Sequence, residues 1–261
     1  MHNNIIITGA NSPYFISLLT LINSIHKYSY NIIDAIIVYD FGLDSSEIQR
    51  LRSYKKVVVK NISENFDIYE SISTVKTKCH FLKMFTLFDS IASAKKVLWL
   101  DAGACALDSI QSIFDIIDKE DIFLVGDVHL NKNYTHQKCI DIMKATEDEL
   151  NDKQLWSGLV GFKTDGVYTP LIKEAWGYSQ VEGCIDGYES NHRHDQSVLS
   201  ILASRYKCKR YDIDRYGYWT DINRNLEKAL ENNSIIFAHR KGYTNHNDLI
   251  IDYVCKKYEN Y

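Results

Sequence analysis

Proline is nearly missing from this chain, with 2 in 261 residues, while isoleucine, asparagine, lysine and tyrosine are abundant. That bias marks an AT-rich genome more than a function. The six cysteines (Cys79, Cys105, Cys139, Cys184, Cys208 and Cys255) contain no Cys-x-x-Cys pair, which fits neither a zinc knuckle nor a disulfide framework. Cys105 reads as a small buried residue rather than a reactive thiol. There is no basic excess. The net charge of -4 argues against nucleic acid as the main partner, because phosphate backbones select a basic face. No apolar run approaches the ~20 residues that a membrane span needs. Met1-His2-Asn3-Asn4 leads straight into a strand with no visible signal peptide, so a cytoplasmic setting is expected. What is present is 45% hydrophobic and 25% charged residues, a balance that gives a chain of this length the core of one large α/β domain.

Strand and helix patterns alternate through the first half. Ile5–Ile7 predicts a strand, and Ser12-Pro13 an N-cap with proline in the first helical turn. Phe15, Leu18, Leu19, Ile22 and Ile25 follow at helical spacing. Further strands are predicted at Ile32–Tyr39, Val57–Lys60, Val97–Leu100 and Ile122–Val125, with helices over Ser45–Tyr54 and Lys78–Ala92. This alternation implies a mostly parallel sheet. The second half is less regular: a polar region over Asn131–Asp152, a strand in Leu155–Phe162, helices from Thr169 and Asp195, and strands at Cys208–Asp212 and Ile235–Ala238. No internal repeat or Pro/Gly/Ser-rich linker divides the chain. One domain over 1–261 is expected, with two functional halves, over about 1–128 and about 129–261.

The most informative segment is Val97-Leu98-Trp99-Leu100-Asp101-Ala102-Gly103, an apolar strand that ends in an acid and a glycine-bearing turn. Ligands of open α/β sheets bind at the carboxyl ends of strands, which places Asp101 where a metal–diphosphate or a ribose hydroxyl could be held. Ile5-Ile6-Ile7-Thr8-Gly9-Ala10 imitates the start of a short-chain dehydrogenase. However, Pro13, Tyr14 and Phe15 occupy the place of the later glycines that a dinucleotide turn requires. Tyr134 and Lys138 have the Tyr-x-x-x-Lys spacing of that family, yet no serine precedes them at the right distance.

The order of motifs instead resembles the GT-A glycosyltransferases, particularly those of family 8 and their bacterial and viral relatives. Thr8-Gly9-Ala10 matches their first strand-end loop, Lys83 a basic residue directed at the donor, and Asp101-Ala102-Gly103 their Asp-x-Asp segment without its second acid. Ser157-Gly158 matches their small-residue loop, Asp195-Gln196 their Asp-Gln motif, and His239-Arg240-Lys241 their C-terminal histidine and lysine. The resemblance implies a GT-A fold and transfer of a sugar from a nucleoside-diphosphate donor, with UDP the expected nucleotide, to a glycan or lipid-linked acceptor. Surface-polysaccharide synthesis is a matching setting, and peripheral membrane association is left open. It also implies retention of anomeric configuration, with Asp195 and Gln196 as catalytic residues. Thr8, Gly9, Ala10, Lys83, Asp101, Ala102, Gly103, Ser157, Gly158, Arg240 and Lys241 are then donor contacts. Asp101 and His239 are the candidate ligands of Mn2+ or Mg2+, with Asp127 or a diphosphate oxygen completing the set, or cationic side chains replacing the metal. Trp156, Trp176 and Trp219 could stack on sugar; of these Trp176 reads as core of its helix and Trp219 as an acceptor-side residue. Two other readings stay open: a sugar-nucleotidyltransferase, for which Thr8–Tyr14 has too few glycines and no basic residue, and a degenerate, non-catalytic nucleotide-sugar-binding module, favoured by Gly103.

Overall fold

The computed structural model describes residues 2–62, 78–187, 190–219 and 225–239. Its strands are β1 (His2–Ala10), β2 (Ala35–Asp40), β3 (Val57–Asn61), β4 (Ala94–Leu100), β5 (Ala104–Ala106), β6 (Ile122–Leu130), β7 (Lys153–Lys163), β8 (Tyr218–Trp219) and β9 (Ile236–Ala238). Six of them form one sheet in the order β3-β2-β1-β4-β7-β6. The first four run parallel, and β7 runs antiparallel to both of its neighbours, β4 and β6. A mixed, largely parallel sheet flanked by helices is thus the architecture.

The apolar runs explain the sheet. Ile5, Ile6 and Ile7 are all fully buried, because β1 lies mid-sheet between β2 and β4 with helices on both faces. Alternate residues feed opposite cores. Ile5, Ile7, Tyr39 and Trp99 join one core with Phe81, Met84 and Phe85, whereas Ile6, Leu98 and Leu100 join the other with Leu18 and Ile22. The first core is covered by α3 (Lys78–Asp89), α7 (Thr169–Ser179) and α8 (Asp195–Arg205), and the second by α1 (Phe15–Ser29) and α4 (Gln111–Glu120). Between α1 and α3 lies α2 (Ser45–Arg52), started by a capping box of Asp44 and Glu47.

Three expectations are adjusted. The second strand begins at Ala35, later than Ile32, because the chain leaving α1 first makes a turn that hydrogen-bonds Ile32 to Ser29. The polar region after β6 folds into α5 (Gln137–Met143) and α6 (Glu147–Asn151), the latter started by a Thr146–Glu149 capping box. Cys208–Asp212 forms no strand. Tyr211 makes one isolated parallel bridge to Val125, and Arg210 turns its guanidinium to Asp152 at 2.7 Å. Past it lie the short helices α9 (Ile213–Tyr216) and α10 (Leu226–Glu231).

A second sheet, β5-β9-β8, closes the carboxyl edge of the large one. It is anchored to α1, where Ser24 Oγ accepts from the Ala106 amide at 2.9 Å and Ser29 Oγ from the Ile110 amide at 3.1 Å. Buried hydroxyls inside a helix are tolerated here because they satisfy the backbone of the turn they support. Among the described residues no helix is long and apolar enough to cross a membrane.

Candidate active site

Asp101 follows the last residue of β4, at the carboxyl edge of the sheet. Its amide donates to the Gly158 carbonyl of β7 at 3.0 Å, and its own carbonyl accepts from the Ala104 amide at 2.9 Å. The turn is therefore tied on both sides, and the carboxylate is aimed while its side chain remains 46% exposed. The Trp99 indole donates to Asp101 Oδ1 at 2.7 Å, so this core side chain also orients the acid.

Lys83 rises from α3 into the same place. Its ammonium lies 3.2 Å from Asp101 Oδ1, 3.0 Å from Asp195 Oδ2 and 3.2 Å from Ser157 Oγ, above the Trp99 ring at 5.2 Å. The ammonium donates to Asp101 and Ser157 and is ion-paired with Asp195. Burial alone would lower the Lys83 pKa, but the charges of Asp101 and Asp195 outweigh it and the net shift is upward. Asp195, the first residue of α8, is held well below the usual carboxylate range. Burial opposes its charge, and Lys83 and then His80 overcome that. His80 Nδ1 sits 2.6 Å from Asp195 Oδ1. Asp195 thus caps no backbone of its own helix; its oxygens face α3. The preceding residue, His194, has φ +50° and ψ -118°, a backbone conformation costing roughly 1–3 kcal/mol, and its ring stacks on His80 with centroids 4.3 Å apart.

A second polar group adjoins the first across β7. Arg193 donates to Asp127 at 2.6 Å and to Gln154 at 3.3 Å, with its guanidinium over the Tyr134 ring at 3.9 Å. The Gln196 amide nitrogen donates to Gln154 at 3.1 Å. Asp127 also accepts from the Val128 amide at 2.5 Å. It is therefore committed to protein donors, and its expected part in completing a metal site does not fit this arrangement. Sequence reasoning passed over Gln154, Trp99 and His80 as site residues, while Arg193 stood with His192 and His194 in a polar cluster suited to substrate. The local signal available was the His80-x-x-Lys83 spacing, which puts both side chains on one face of α3.

The remaining expected residues divide by exposure. Thr8, Ala10 and Ala102 are buried, so none presents a side chain to a ligand, and only their backbone could do so. A side chain on Gly9 would collide with the Phe41 ring, 2.1 Å from its Cβ position, so Phe41 covers this loop. Ser157 is engaged by Lys83, and Gly158 holds the Asp101 turn. Trp176 packs on Phe81, Phe85 and Phe88 against the first core, in keeping with its reading as a core residue of its helix. Arg240 and Lys241 lie outside the described residues.

His239 is described. Antiparallel pairing sets Ala104 opposite Ala238, and that register continues to put His239 across from Gly103. The imidazole is buried, its pKa lowered to about 4 by desolvation against an opposing hydrogen bond to the Ala104 backbone. It is therefore neutral near pH 7, the form that ligates metals. Asp101 and His239 consequently flank one turn. Among the described residues no cluster of three His, Cys, Asp or Glu side chains is disposed to hold an ion. A divalent ion here would take its further ligands from a substrate, as magnesium commonly does with phosphates.

The sheet order, the reversed β7 and the acid at the end of β4 define the GT-A nucleotide-sugar fold. No family model and no curated protein matches the sequence. Solved structures do share the fold. The apo structure of the WbbM bifunctional glycosyltransferase matches with a TM-score of 0.69 and 12% identity, over 97% of this chain and 50% of that one, so the present chain spans half its length. Apo mouse xyloside xylosyltransferase 1 matches with a TM-score of 0.57 and 10% identity, over 94% and 98% of the two chains. The galactosyltransferase LgtC, in complex with donor and acceptor sugar analogs, gives 0.57 and 12%, over 97% and 95%. The chain resembles GT-A glycosyltransferases of the family 8 type in fold, at identities where sequence carries little of the likeness.

Proposed function

We propose that this protein is a glycosyltransferase that moves a sugar from a nucleoside-diphosphate donor, a UDP-sugar by analogy, to a glycan or lipid-linked saccharide acceptor. The setting we propose is surface-polysaccharide synthesis in the cytoplasm, with retention of anomeric configuration. The observation that carries the reading is the half-exposed Asp101 carboxylate at the carboxyl edge of a GT-A sheet, braced by Lys83, Trp99 and the Gly158 carbonyl. Sugar transfer requires a leaving diphosphate to be stabilised and one hydroxyl to be positioned at the anomeric carbon. A manganese or magnesium ion between Asp101, His239 and the donor would neutralise charge on that leaving group. Arg240 and Lys241, which follow His239, are proposed as further diphosphate partners. Gln196 is proposed to contact the sugar through its amide oxygen, its nitrogen being held by Gln154. Asp195 acts behind it, through Lys83 and His80.

The test is a thermal-shift screen of nucleoside diphosphates and their sugars, each with and without manganese, followed by assay of donor hydrolysis. Stabilisation by a UDP-sugar together with slow release of free sugar is the expected result. Release of pyrophosphate from a nucleoside triphosphate and a sugar phosphate would make the protein a nucleotidyltransferase. Gly103, in the place of a second acid, favours a binding module as the second reading. Donor binding with no hydrolysis and no transfer at any metal concentration would establish it.

A further inference from the structure

Of the charged groups around Asp101, the two with the largest mutual attraction are turned inward. Lys83 and Asp195 have side chains only 8% and 4% exposed, and the Lys83 ammonium is hydrogen-bonded to Asp101 and Ser157 and ion-paired with Asp195. Neither can reach far toward a bound donor without breaking a buried ion pair. Counted as charges, the cluster of two carboxylates and one ammonium is net negative. A diphosphate brought to Asp101 adds negative charge to a negative site, and in a partly buried place that repulsion is weakly screened. Something besides Lys83 must offset it.

Resting on the donor-site reading above, we propose that His80 is a donor-binding residue. Its imidazolium, anchored at Nδ1 by Asp195, presents Nε2–H to the diphosphate, so that the donor binds together with a proton. The geometry supplies each part. The Nδ1 contact to the buried carboxylate fixes which nitrogen faces outward, and stacking on His194 fixes the plane of the ring. The side chain is 33% exposed, and Nε2 has no hydrogen-bond partner among the described residues. The charged and titratable groups facing it are Asp195 and His194 at the start of α8, Lys83 one turn along α3, and Asp101 at the end of β4. Burial disfavours its protonation, but the hydrogen bond and charge of Asp195 outweigh that and raise its pKa. A protonated His80 brings the four-residue cluster to neutrality. Asp195 and Lys83 are then positioning residues, acting through the imidazole and through Asp101.

The test is calorimetric titration of the whole protein with UDP-glucose and with UDP-galactose, in magnesium, from about pH 6.5 to 8.5, in two buffers of different ionisation enthalpy. The diphosphate of a nucleotide sugar does not titrate in that range, so any proton taken up belongs to the protein. Uptake on binding is expected, with affinity falling roughly tenfold as the pH rises across the range. His80→Asn keeps a donor for Asp195 but has nothing at the Nε2 position. It should bind about tenfold more weakly at the acid end, without uptake and with a flat pH profile. A merely structural histidine would change affinity and leave the pH profile in place. Wild-type uptake in His80→Asn, or none in the wild type, overturns the proposal. Should His80→Asn not fold, nitrogen NMR of the wild-type imidazole decides: its pKa must rise when UDP-glucose binds, and an unmoved value overturns the proposal. If neither sugar nucleotide nor UDP binds the wild type at any pH, the donor-site reading itself falls, and this inference with it.

Discussion

Asp101 and Asp195 share one lysine, and their exposure separates what each does. Lys83 and Asp195 are both buried, so removing either leaves a desolvated charge behind, which typically costs 3–5 kcal/mol. Lys83→Met should lower the urea-unfolding free energy by about that amount, and Lys83→Met combined with Asp195→Asn should recover part of it, since the second change removes the orphaned charge. A double variant as unstable as the sum of the singles would show that the pair is not coupled. Asp101 has half its side chain in solvent, where an ion pair contributes less than about 1 kcal/mol. Asp101→Asn should therefore unfold near the wild-type urea midpoint yet lose more than about tenfold in donor affinity, or ~1.4 kcal/mol. Unchanged donor affinity in that variant would remove Asp101 from the site.

Strand β7 joins β4 to β6 in the large sheet. On one of its faces Trp156 lies across two glycines: a Cβ on Gly158 would stand 2.5 Å from the indole, and one on Gly217 would stand 2.4 Å from its other edge. The partly buried ring thus occupies the space that a side chain at either glycine would need. Trp156 packs against the second core, which includes Val125 and Leu159, and so is less a free platform for sugar than a packing residue. Gly158→Ala should displace the ring, destabilise the protein by about 1–3 kcal/mol and loosen the Asp101–Gly158 hydrogen bond. A changed tryptophan emission together with weakened donor binding is the expected pair of results. A variant with wild-type emission and stability would mean that the ring has room the packing does not show.

Over the whole molecule, acid should act through histidines more than through carboxylates. His26 and His239 have pKa values lowered to about 4 and His192 to about 3, each chiefly by burial. A histidine whose folded pKa lies below its unfolded value of 6.5 contributes stability that is complete above 6.5 and is lost as the pH falls toward the folded value. Between those limits each costs up to about 1.4 kcal/mol per pH unit. His80 has the opposite sign: its contribution is present below the unfolded value and fades as the pH rises through its raised one. Asp195, depressed far below its ordinary value, adds loss only in strong acid. The urea midpoint should accordingly drop steeply from about pH 6.5 to 4, and a flat midpoint across that window would show that these imidazoles are not desolvated in solution.

Local chemistry in the chain was enough to place the strands Ile5–Ile7 and Val97–Leu100, the helix carrying Lys83, the acid at the end of β4 and the parallel character of the first half. Each of these is written in residues a few positions apart, as an apolar run, a helical period or a strand-end acid, and side-chain direction follows backbone geometry there. Tertiary structure decided the rest. Cys208–Asp212 has the residues of a strand and makes only the Tyr211 bridge, because the edge it meets offers one parallel position. The ammonium of Lys83 could have pointed to solvent or to a substrate; that it is engaged follows from Ser157 and Asp195 arriving from distant segments. His80 and Asp195 are 115 residues apart, and nothing local to either announces the other. The same holds for Arg193 and Asp127, separated by 66 positions. A charge reveals its role only when the group that opposes it is known, and in this protein those partners are joined by the fold and not by the order of the chain.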